Sequence, residues 1–228
     1  MKPNKLFAGL FIGSMALGCW TAQAQDWPNL NRFREANAQL AAPAKGEKRV
    51  VFMGNSITEG WIRTHPDFFK ANPYVNRGIS GQTTPQMLVR FHQDVVDLQP
   101  EAVVILAGTN DIAGNTGPST LKMIMDNLKA MAEIAEANDI EVILCSVLPV
   151  KHYSWRPEVE ATQQVVDLNK MIKEYCKEEK ITYLDYFSAM ATPENFMIPE
   201  YTTDEVHVTP KGYDLMEQMV QEAIKKTL

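Results

Sequence analysis

The chain has 228 residues, of which 45% are hydrophobic, so it is long enough to bury one sizeable core. It carries 22 Lys and Arg residues against 28 Asp and Glu residues, a formal net charge of −6. This acidic balance argues against nucleic acid as a partner, because binding to the phosphate backbone depends on Lys and Arg.

The first 24 residues have the pattern of a secretory signal peptide. Two lysines precede an apolar stretch over residues 6–17, and Ala22-Gln23-Ala24 supplies small residues for cleavage. The apolar stretch is too short for a comfortable membrane span. We therefore expect cleavage after Ala24, export to the periplasm or the medium, and one domain over residues 25–228. A partial lipoprotein signal ends at Cys19, and lipid anchoring there is the less favoured alternative.

Further along the chain, short apolar runs alternate with segments of helical periodicity. The apolar runs, which predict strands buried on both faces, are residues 50–53, 74–75, 102–107, 141–148 and 181–186. The helical segments are residues 27–42, 82–98, 119–138, 157–180 and 209–226. This alternation predicts an α/β fold, a three-layer α/β/α sandwich with a mostly parallel five-stranded sheet.

Four short polar segments carry the residues with chemical potential. They are Gly54-Asn55-Ser56-Ile57-Thr58, Asn76-Arg77-Gly78-Ile79-Ser80-Gly81, Gly108-Thr109-Asn110-Asp111 and Asp204-Glu205-Val206-His207. Each alone has an ordinary interpretation, since Ser caps helices, Asn and Gly form turns, and most histidines are structural. Open α/β sheets bind ligands at the carboxyl ends of their strands, so we expect the four segments to meet there.

The order Ser, Gly, Asn, His resembles the four blocks of the SGNH hydrolases, also called GDSL esterases, from about Arg49 to the C-terminus. The matching residues are Ser56, Gly81, Gly108 with Asn110, and Asp204 with His207. The resemblance implies a flavodoxin-like sheet of the SGNH type and a serine esterase activity. Asn55 departs from the family motif, which has Asp there, but this position is not the family's nucleophile.

A serine esterase would use the matched residues in distinct roles. Ser56 is the expected nucleophile, with His207 taking its proton and Asp204 fixing the imidazole tautomer. The backbone N–H groups of Ser56 and Gly81 and the side-chain amide of Asn110 are the expected oxyanion donors. The first segment lacks the second glycine of the G-x-S-x-G elbow, so an architecture other than the α/β-hydrolase fold is expected.

No sequence motif indicates a metal or a cofactor. The chain lacks H-E-x-x-H, a zinc-spaced Cys pair, an acidic calcium loop, G-x-G-x-x-G and the P-loop motif. We expect the reaction to need only water. His65, His92 and His152 are interpreted as surface or structural residues, with His152 a candidate for the cleft. Cys145 and Cys176 are expected to be buried free thiols.

The substrate is less well determined than the reaction. Trp61, Tyr153, Trp155 and Tyr201 fall near the proposed active edge and can stack on a sugar or shape an acyl pocket, although core packing explains them equally well. We favour hydrolysis of short acyl groups, acetyl above all, from carbohydrates. Lipid hydrolysis of the lysophospholipase or thioesterase type is the alternative, and a glycan-binding module without chemistry is a third. No heptad or long apolar stripe indicates an oligomer interface.

Overall fold

A five-stranded sheet forms the centre of the computed structural model, which describes residues 25–228. The strands are β1 (Val50–Gly54), β2 (Tyr74–Gly78), β3 (Ala102–Leu106), β4 (Glu141–Cys145) and β5 (Thr182–Leu184). They lie in the order β2-β1-β3-β4-β5, and every neighbouring pair is parallel. The predicted α/β fold with a flavodoxin-like parallel sheet is confirmed. The predicted signal peptide and Cys19 lie outside the described residues.

Helices flank this sheet. They are α1 (Arg34–Gln39), α2 (Ser56–Thr64), α3 (Pro66–Lys70), α4 (Thr84–Asp94), α5 (Thr109–Ile112), α6 (Leu121–Glu136), α7 (Ala161–Glu179), α8 (Tyr186–Met190) and α9 (Pro210–Thr227). Short 3-10 turns occur at Val96–Leu98 and Pro199–Tyr201. Across residues 25–228, no helix has the length and apolar character needed to cross a membrane.

Alternating strand residues divide the core into two layers. On one face, side chains such as Val51 and Ile105 pack in a cluster with buried residues of α4, α6 and α7. On the other face, Phe52 and Val104 pack with buried residues of α2, α3 and α9. Successive side chains of a strand point to opposite faces of the sheet. A sheet covered by helices on both faces therefore needs strands that are apolar throughout, and the apolar runs in the sequence predict this three-layer arrangement.

Several element boundaries differ from those predicted. The helix expected over residues 27–42 is confined to Arg34–Gln39, since Asn29 adopts a left-handed conformation (φ 59°) before it and Leu40 is extended (ψ 118°) after it. Strand β2 continues past its apolar residues, since the Asn76 amide is satisfied by the Thr58 carbonyl (2.7 Å) and the Gly78 N–H. Helix α7 begins at Ala161 rather than at residue 157.

The strand order creates a crevice at the carboxyl edge of the sheet. The chain passes from β1 to β2 on one side and then crosses to β3 on the other side of β1. Connections leaving β1 and β3 therefore diverge, which is the usual position of a ligand site in such sheets. Ser56 follows β1 and Asn110 follows β3, so two of the predicted site residues flank this crevice.

Candidate active site

Ser56 is the first residue of α2, directly after the end of β1. The helix is capped by Asn55, whose Oδ1 accepts a hydrogen bond from the Ile57 N–H (3.2 Å). Ser56 is therefore not the capping residue, and its hydroxyl is free for another partner. The same contact gives Asn55 a clear function at the position where the family motif has Asp, because a neutral amide oxygen also accepts this bond.

A hydrogen-bonded chain joins Ser56 to the last polar segment. The Ser56 Oγ lies 3.0 Å from Nε2 of His207, and Nδ1 of His207 lies 2.7 Å from Oδ2 of Asp204. The other carboxylate oxygen of Asp204 accepts the N–H groups of Val206 (3.1 Å) and His207 (2.7 Å). The structure thus brings together Ser56, His207 and Asp204, the expected nucleophile, base and orienting carboxylate.

The Asp204 carboxylate is electrostatically favoured in its ionised form. Its partial burial acts to raise the pKa, but the hydrogen bonds from the His207 N–H, the His207 ring and the Val206 N–H outweigh this and lower the pKa. The side chains of Asp204 and His207 remain 44% and 41% exposed. An ionised carboxylate beside Nδ1 holds the imidazole with its free nitrogen lone pair toward Ser56.

Candidate donors for a negative charge follow β1, β2 and β3. Gly81 has a positive φ of 77°, a conformation that glycine adopts without strain. Within the described residues, the N–H groups of Ser56 and Gly81 have no internal acceptor. The Asn110 amide donates one hydrogen to the Gln82 carbonyl (2.9 Å), which leaves its second hydrogen for a ligand. Asn110 is therefore linked to the residue that follows Gly81.

A buried ion pair that the sequence analysis did not identify supports these donors. Arg90 and Asp94 are fully buried and 3.0 Å apart. Arg90 also donates to the Gln82 side chain (2.6 Å) and to the carbonyl of Gly54 (3.2 Å). Since the Gln82 carbonyl accepts the Asn110 amide, Arg90 ties the end of β1 before Ser56 to the Gln82 segment and, through it, to Asn110.

The loop that carries Gly81 is also held from the side of α2. Glu59 accepts hydrogen bonds from the Ser80 N–H (3.1 Å) and the Ser80 hydroxyl, and it pairs with Arg32 (3.2 Å). Burial acts to raise the Glu59 pKa, but these contacts outweigh it and lower the pKa. At Gly78, an added Cβ would lie 2.2 Å from the Glu59 nitrogen, so only glycine permits this close approach.

Asp111 follows Asn110 and is buried beneath it. Its carboxylate accepts the Thr84 N–H (3.0 Å) and the Thr84 hydroxyl (2.6 Å). Burial raises the Asp111 pKa to about 6, against the opposing effect of the Thr84 hydrogen bonds. Asp111 therefore connects the start of α4 to the segment that positions Asn110, and it does so as a costly buried charge at neutral pH.

This raised pKa makes stability depend on pH in a defined direction. Between about pH 4 and pH 6 the unfolded chain releases the Asp111 proton while the folded chain retains it, so the free energy of unfolding falls as pH rises. A shift of about two pH units corresponds to about 3 kcal/mol. We expect the stability of the wild type relative to Asp111→Asn to decrease by up to this amount between pH 4 and pH 7, measured by urea denaturation.

A matched control for this prediction is Asp126→Asn, because Asp126 is exposed and its pair with Lys122 is a surface contact. Its stability relative to the wild type should change by less than about 0.5 kcal/mol over the same pH range. An equally flat profile for Asp111→Asn would mean that Asp111 titrates normally in the folded protein.

The structure corrects the proposed aromatic lining. Trp61 is 1% exposed and stacks on Phe68 in the core, and Tyr153 is fully buried with its hydroxyl 2.9 Å from Thr109 Oγ1. Neither lines an open site, because each completes the packing of the interior. Tyr201 is half-buried and packs against the cluster on the α9 side. Only Trp155, which is 42% exposed, presents a large free surface.

The remaining histidines and cysteines agree with their structural interpretation. His65 pairs with Asp214 (3.0 Å), and His92 is exposed beside Asp97. His152 is paired with Glu205, within the turn between Asp204 and His207, so it borders the Asp204–His207 segment. Cys145 and Cys176 are buried and free, as predicted. Across residues 25–228, no cluster of His, Cys, Asp or Glu could hold a metal ion.

Sequence comparison relates the chain to known hydrolases. The profile of the GDSL-like lipase/acylhydrolase family matches residues 52–215, which include all four polar segments. A curated relative is the uncharacterized lipoprotein YqeF of Bacillus subtilis (strain 168), which is 32% identical over 46% of this chain. The aligned part spans about half (51%) of the length of that relative.

Solved structures resemble the chain over most of its length. A GDSL-like lipase from Bacteroides thetaiotaomicron VPI-5482 is 51% identical, with 88% of this chain and 99% of that chain covered and a TM-score of 0.86. A candidate acylhydrolase from Bacteroides fragilis NCTC 9343 is 50% identical, with coverage of 90% and 99% and a TM-score of 0.88. The predicted SGNH relationship is confirmed. The chain belongs to the GDSL-like lipase/acylhydrolase family, a family of ester hydrolases.

Proposed function

We propose that this chain is a serine esterase in which Ser56 is the nucleophile, His207 the general base and Asp204 the residue that orients the imidazole. The observation that carries the proposal is the continuous chain of contacts from Ser56 to His207 (3.0 Å) and from His207 to Asp204 (2.7 Å). A serine hydroxyl is a weak nucleophile unless such a base accepts its proton.

The reaction proceeds through an acyl-enzyme. The Ser56 Oγ attacks the ester carbonyl carbon, and its proton passes to Nε2 of His207. Collapse of the tetrahedral intermediate breaks the bond to the alcohol oxygen, which takes the proton from His207 and leaves. Water then attacks the acyl carbon, gives a proton to His207, and the acid departs as Ser56 recovers its hydrogen. The reaction requires no cofactor.

The oxyanion formed in both steps would be stabilised by three donors. They are the N–H groups of Ser56 and Gly81 and the free amide hydrogen of Asn110. Arg90 and Gln82 link the segments that carry them, because Arg90 donates to the Gly54 carbonyl and to Gln82, and the Gln82 carbonyl accepts the Asn110 amide. Preorganised donors of this kind lower the barrier because they need no rearrangement as charge develops.

For the substrate we propose a short acyl ester of a carbohydrate, with acetate as the acid released. Two structural neighbours act on such compounds by description, an acetyl xylan esterase (19% identical, TM-score 0.63) and an acetyl-xylooligosaccharide esterase of Geobacillus (17% identical, TM-score 0.65). At this identity the likeness shows only the shared fold, so the proposal depends on the polar surroundings of Gly81.

We further propose that residues 25–228 form a single hydrolase domain that acts outside the cytoplasm after removal of residues 1–24. The signal-like N-terminus and the lipoprotein character of the Bacillus subtilis relative support export. Soluble export is favoured over anchoring at Cys19 because Ala16 is smaller than the residue that a lipoprotein signal normally has at this position.

The test is hydrolysis of p-nitrophenyl acetate, butyrate and octanoate by the protein. We expect kcat/KM to be at least about 10-fold higher for acetate than for octanoate, because a site for acetyl needs no apolar groove for a long chain. A preference for octanoate would instead indicate a lipid acylhydrolase. Failure to turn over any of the three esters, together with binding of glycans, would indicate a binding module.

A further inference from the structure

A polar groove is lined by Gly81 and its neighbours and by Gln86 of α4. Its volume is about 570 Å³, within the range of roughly 300–1,000 Å³ common for small-molecule sites. One wall is the segment over residues 25–29, and the other carries Asn115 and Thr116. Because Gly81 is a proposed oxyanion donor, the groove adjoins the proposed position of the ester carbonyl.

The N-terminal wall is fixed by amide side chains on and near α4. Gln86 donates to the Trp27 carbonyl (2.6 Å), and Gln82 donates to the Pro28 carbonyl (2.7 Å). Gln93 donates in the same way to the Leu30 carbonyl (2.8 Å). These bonds hold an irregular segment in place without secondary structure, while the Trp27 side chain stays 44% exposed. The segment is thus a built wall of the groove.

The opposite wall is tied directly to the proposed oxyanion site. Asn115 donates to the Gly81 carbonyl (3.3 Å) and accepts a hydrogen bond from the indole N–H of Trp155 (3.1 Å). Trp155 also lies against Tyr153, with ring centroids 5.2 Å apart, so its orientation is fixed while much of its surface is free. Trp27 is therefore the exposed indole that lines the groove, and Trp155 fixes the Asn115 side chain of the opposite wall.

These features match the chemistry of a sugar. Carbohydrates offer hydroxyl groups to amides and carboxylates and apolar ring faces to aromatic side chains, whose flat surfaces have an apolar body. Asp26, Gln86, Asn115 and Thr116 supply the polar groups. A long acyl chain would instead require a predominantly apolar lining, whereas most residues that line this groove are polar.

We propose that this groove binds the oligosaccharide part of an acetylated glycan, with Trp27 as its stacking surface. This inference rests on the proposed esterase function and names the part of the chain that would select its substrate. Trp27 lies outside the four polar segments, so the N-terminal segment becomes a determinant of specificity.

The test compares two classes of substrate in the wild type and in Trp27→Ala. The substrates are p-nitrophenyl acetate and acetylated xylo- and manno-oligosaccharides. We expect the ratio of kcat/KM for an oligosaccharide to kcat/KM for p-nitrophenyl acetate to fall at least about 10-fold, mainly through KM, because truncation of a contact tryptophan commonly costs this much. Trp27→Phe should restore most of the ratio. Val89→Ala, an exposed apolar site on α4, is the control and should leave both activities unchanged.

A second readout does not depend on catalysis. Ser56→Ala protein should show a change in tryptophan fluorescence on addition of the unsubstituted oligosaccharides, and the change should be lost in the double variant with Trp27→Ala. If Trp27→Ala left the kcat/KM ratios of both oligosaccharide families unaltered, or lowered activity equally on both substrate classes, the groove would not be the glycan-binding site. Absence of turnover with intact sugar binding would overturn the esterase function and leave the groove supported.

Discussion

Replacement of Ser56 by alanine is expected to lower kcat for p-nitrophenyl acetate by about 10⁴- to 10⁶-fold, because the acyl-enzyme can no longer form. The hydroxyl oxygen is the only heavy atom removed, and its recorded partner is Nε2 of His207 (3.0 Å). Helix α2 should keep its stability, since its cap is the Asn55 side chain rather than Ser56. Stopped-flow measurement of p-nitrophenol release, with circular dichroism as a check on folding, tests this prediction.

Ser188→Ala is a matched control, because Ser188 is exposed on α8 and its recorded hydrogen bond uses the backbone N–H rather than the hydroxyl. We expect its kcat to remain within about 2-fold of the wild type, as for most surface substitutions. If Ser56→Ala retained more than about a tenth of the wild-type kcat, another nucleophile or a water-based mechanism would have to replace the proposed one.

The fold could be predicted from the sequence because its strands are short, apolar and separated by helical periodicity. Runs such as residues 50–53 and 102–107 contain no polar residue, so neither face of the strand is suited to contact with solvent. These runs therefore predict strands that are buried on both faces. The ends of elements were less predictable. Strand β2 includes Asn76 and Arg77, whose polar groups are satisfied largely by partners distant in the sequence, such as the Thr58 carbonyl.

The site was predictable to the extent that its residues lie in recognisable local segments. Ser56, Gly81, Asn110 and the Asp204–His207 turn are found at the expected edge of the sheet. The Arg90–Asp94 pair was missed, although one signal was present. Both residues lie one helical turn apart beside Met87 and Phe91 on a buried face, where charged residues normally occur only in pairs.

The aromatic residues show why position in the sequence alone does not identify the side chains that line a binding site. Trp61 follows Ser56 by five residues, yet its helical position turns the indole into the core against Phe68 and Tyr213. Trp27 lies far from the motifs in sequence but lines the groove that contains Gly81, where Gln86 and Gln82 hold its segment through hydrogen bonds. Such long-range hydrogen bonds leave no local pattern in the chain.

Asp204→Asn is expected to lower kcat by about 10⁴-fold while KM changes by less than about 3-fold, because Asp204 acts on His207 and not on the substrate. The oxygen of the introduced amide can still accept the Val206 and His207 N–H groups, so the turn should keep its shape. The amide nitrogen would then face Nδ1 of His207. A donor in that position favours the tautomer with the proton on Nε2, which cannot accept the Ser56 proton.

A control variant shows whether the loss depends on the position of Asp204 beside His207 or on the removal of any carboxylate charge. Asp214→Asn removes a carboxylate that pairs with His65 outside the site and should leave kcat within about 2-fold. Rapid-quench or steady-state kinetics with p-nitrophenyl acetate would measure both variants, and ¹⁵N spectra of the His207 ring would report its tautomer. A loss of less than about 10-fold in Asp204→Asn would show that His207 finds the productive tautomer without this carboxylate. In that case the 2.7 Å contact to Nδ1 would serve the structure of the turn and not the reaction.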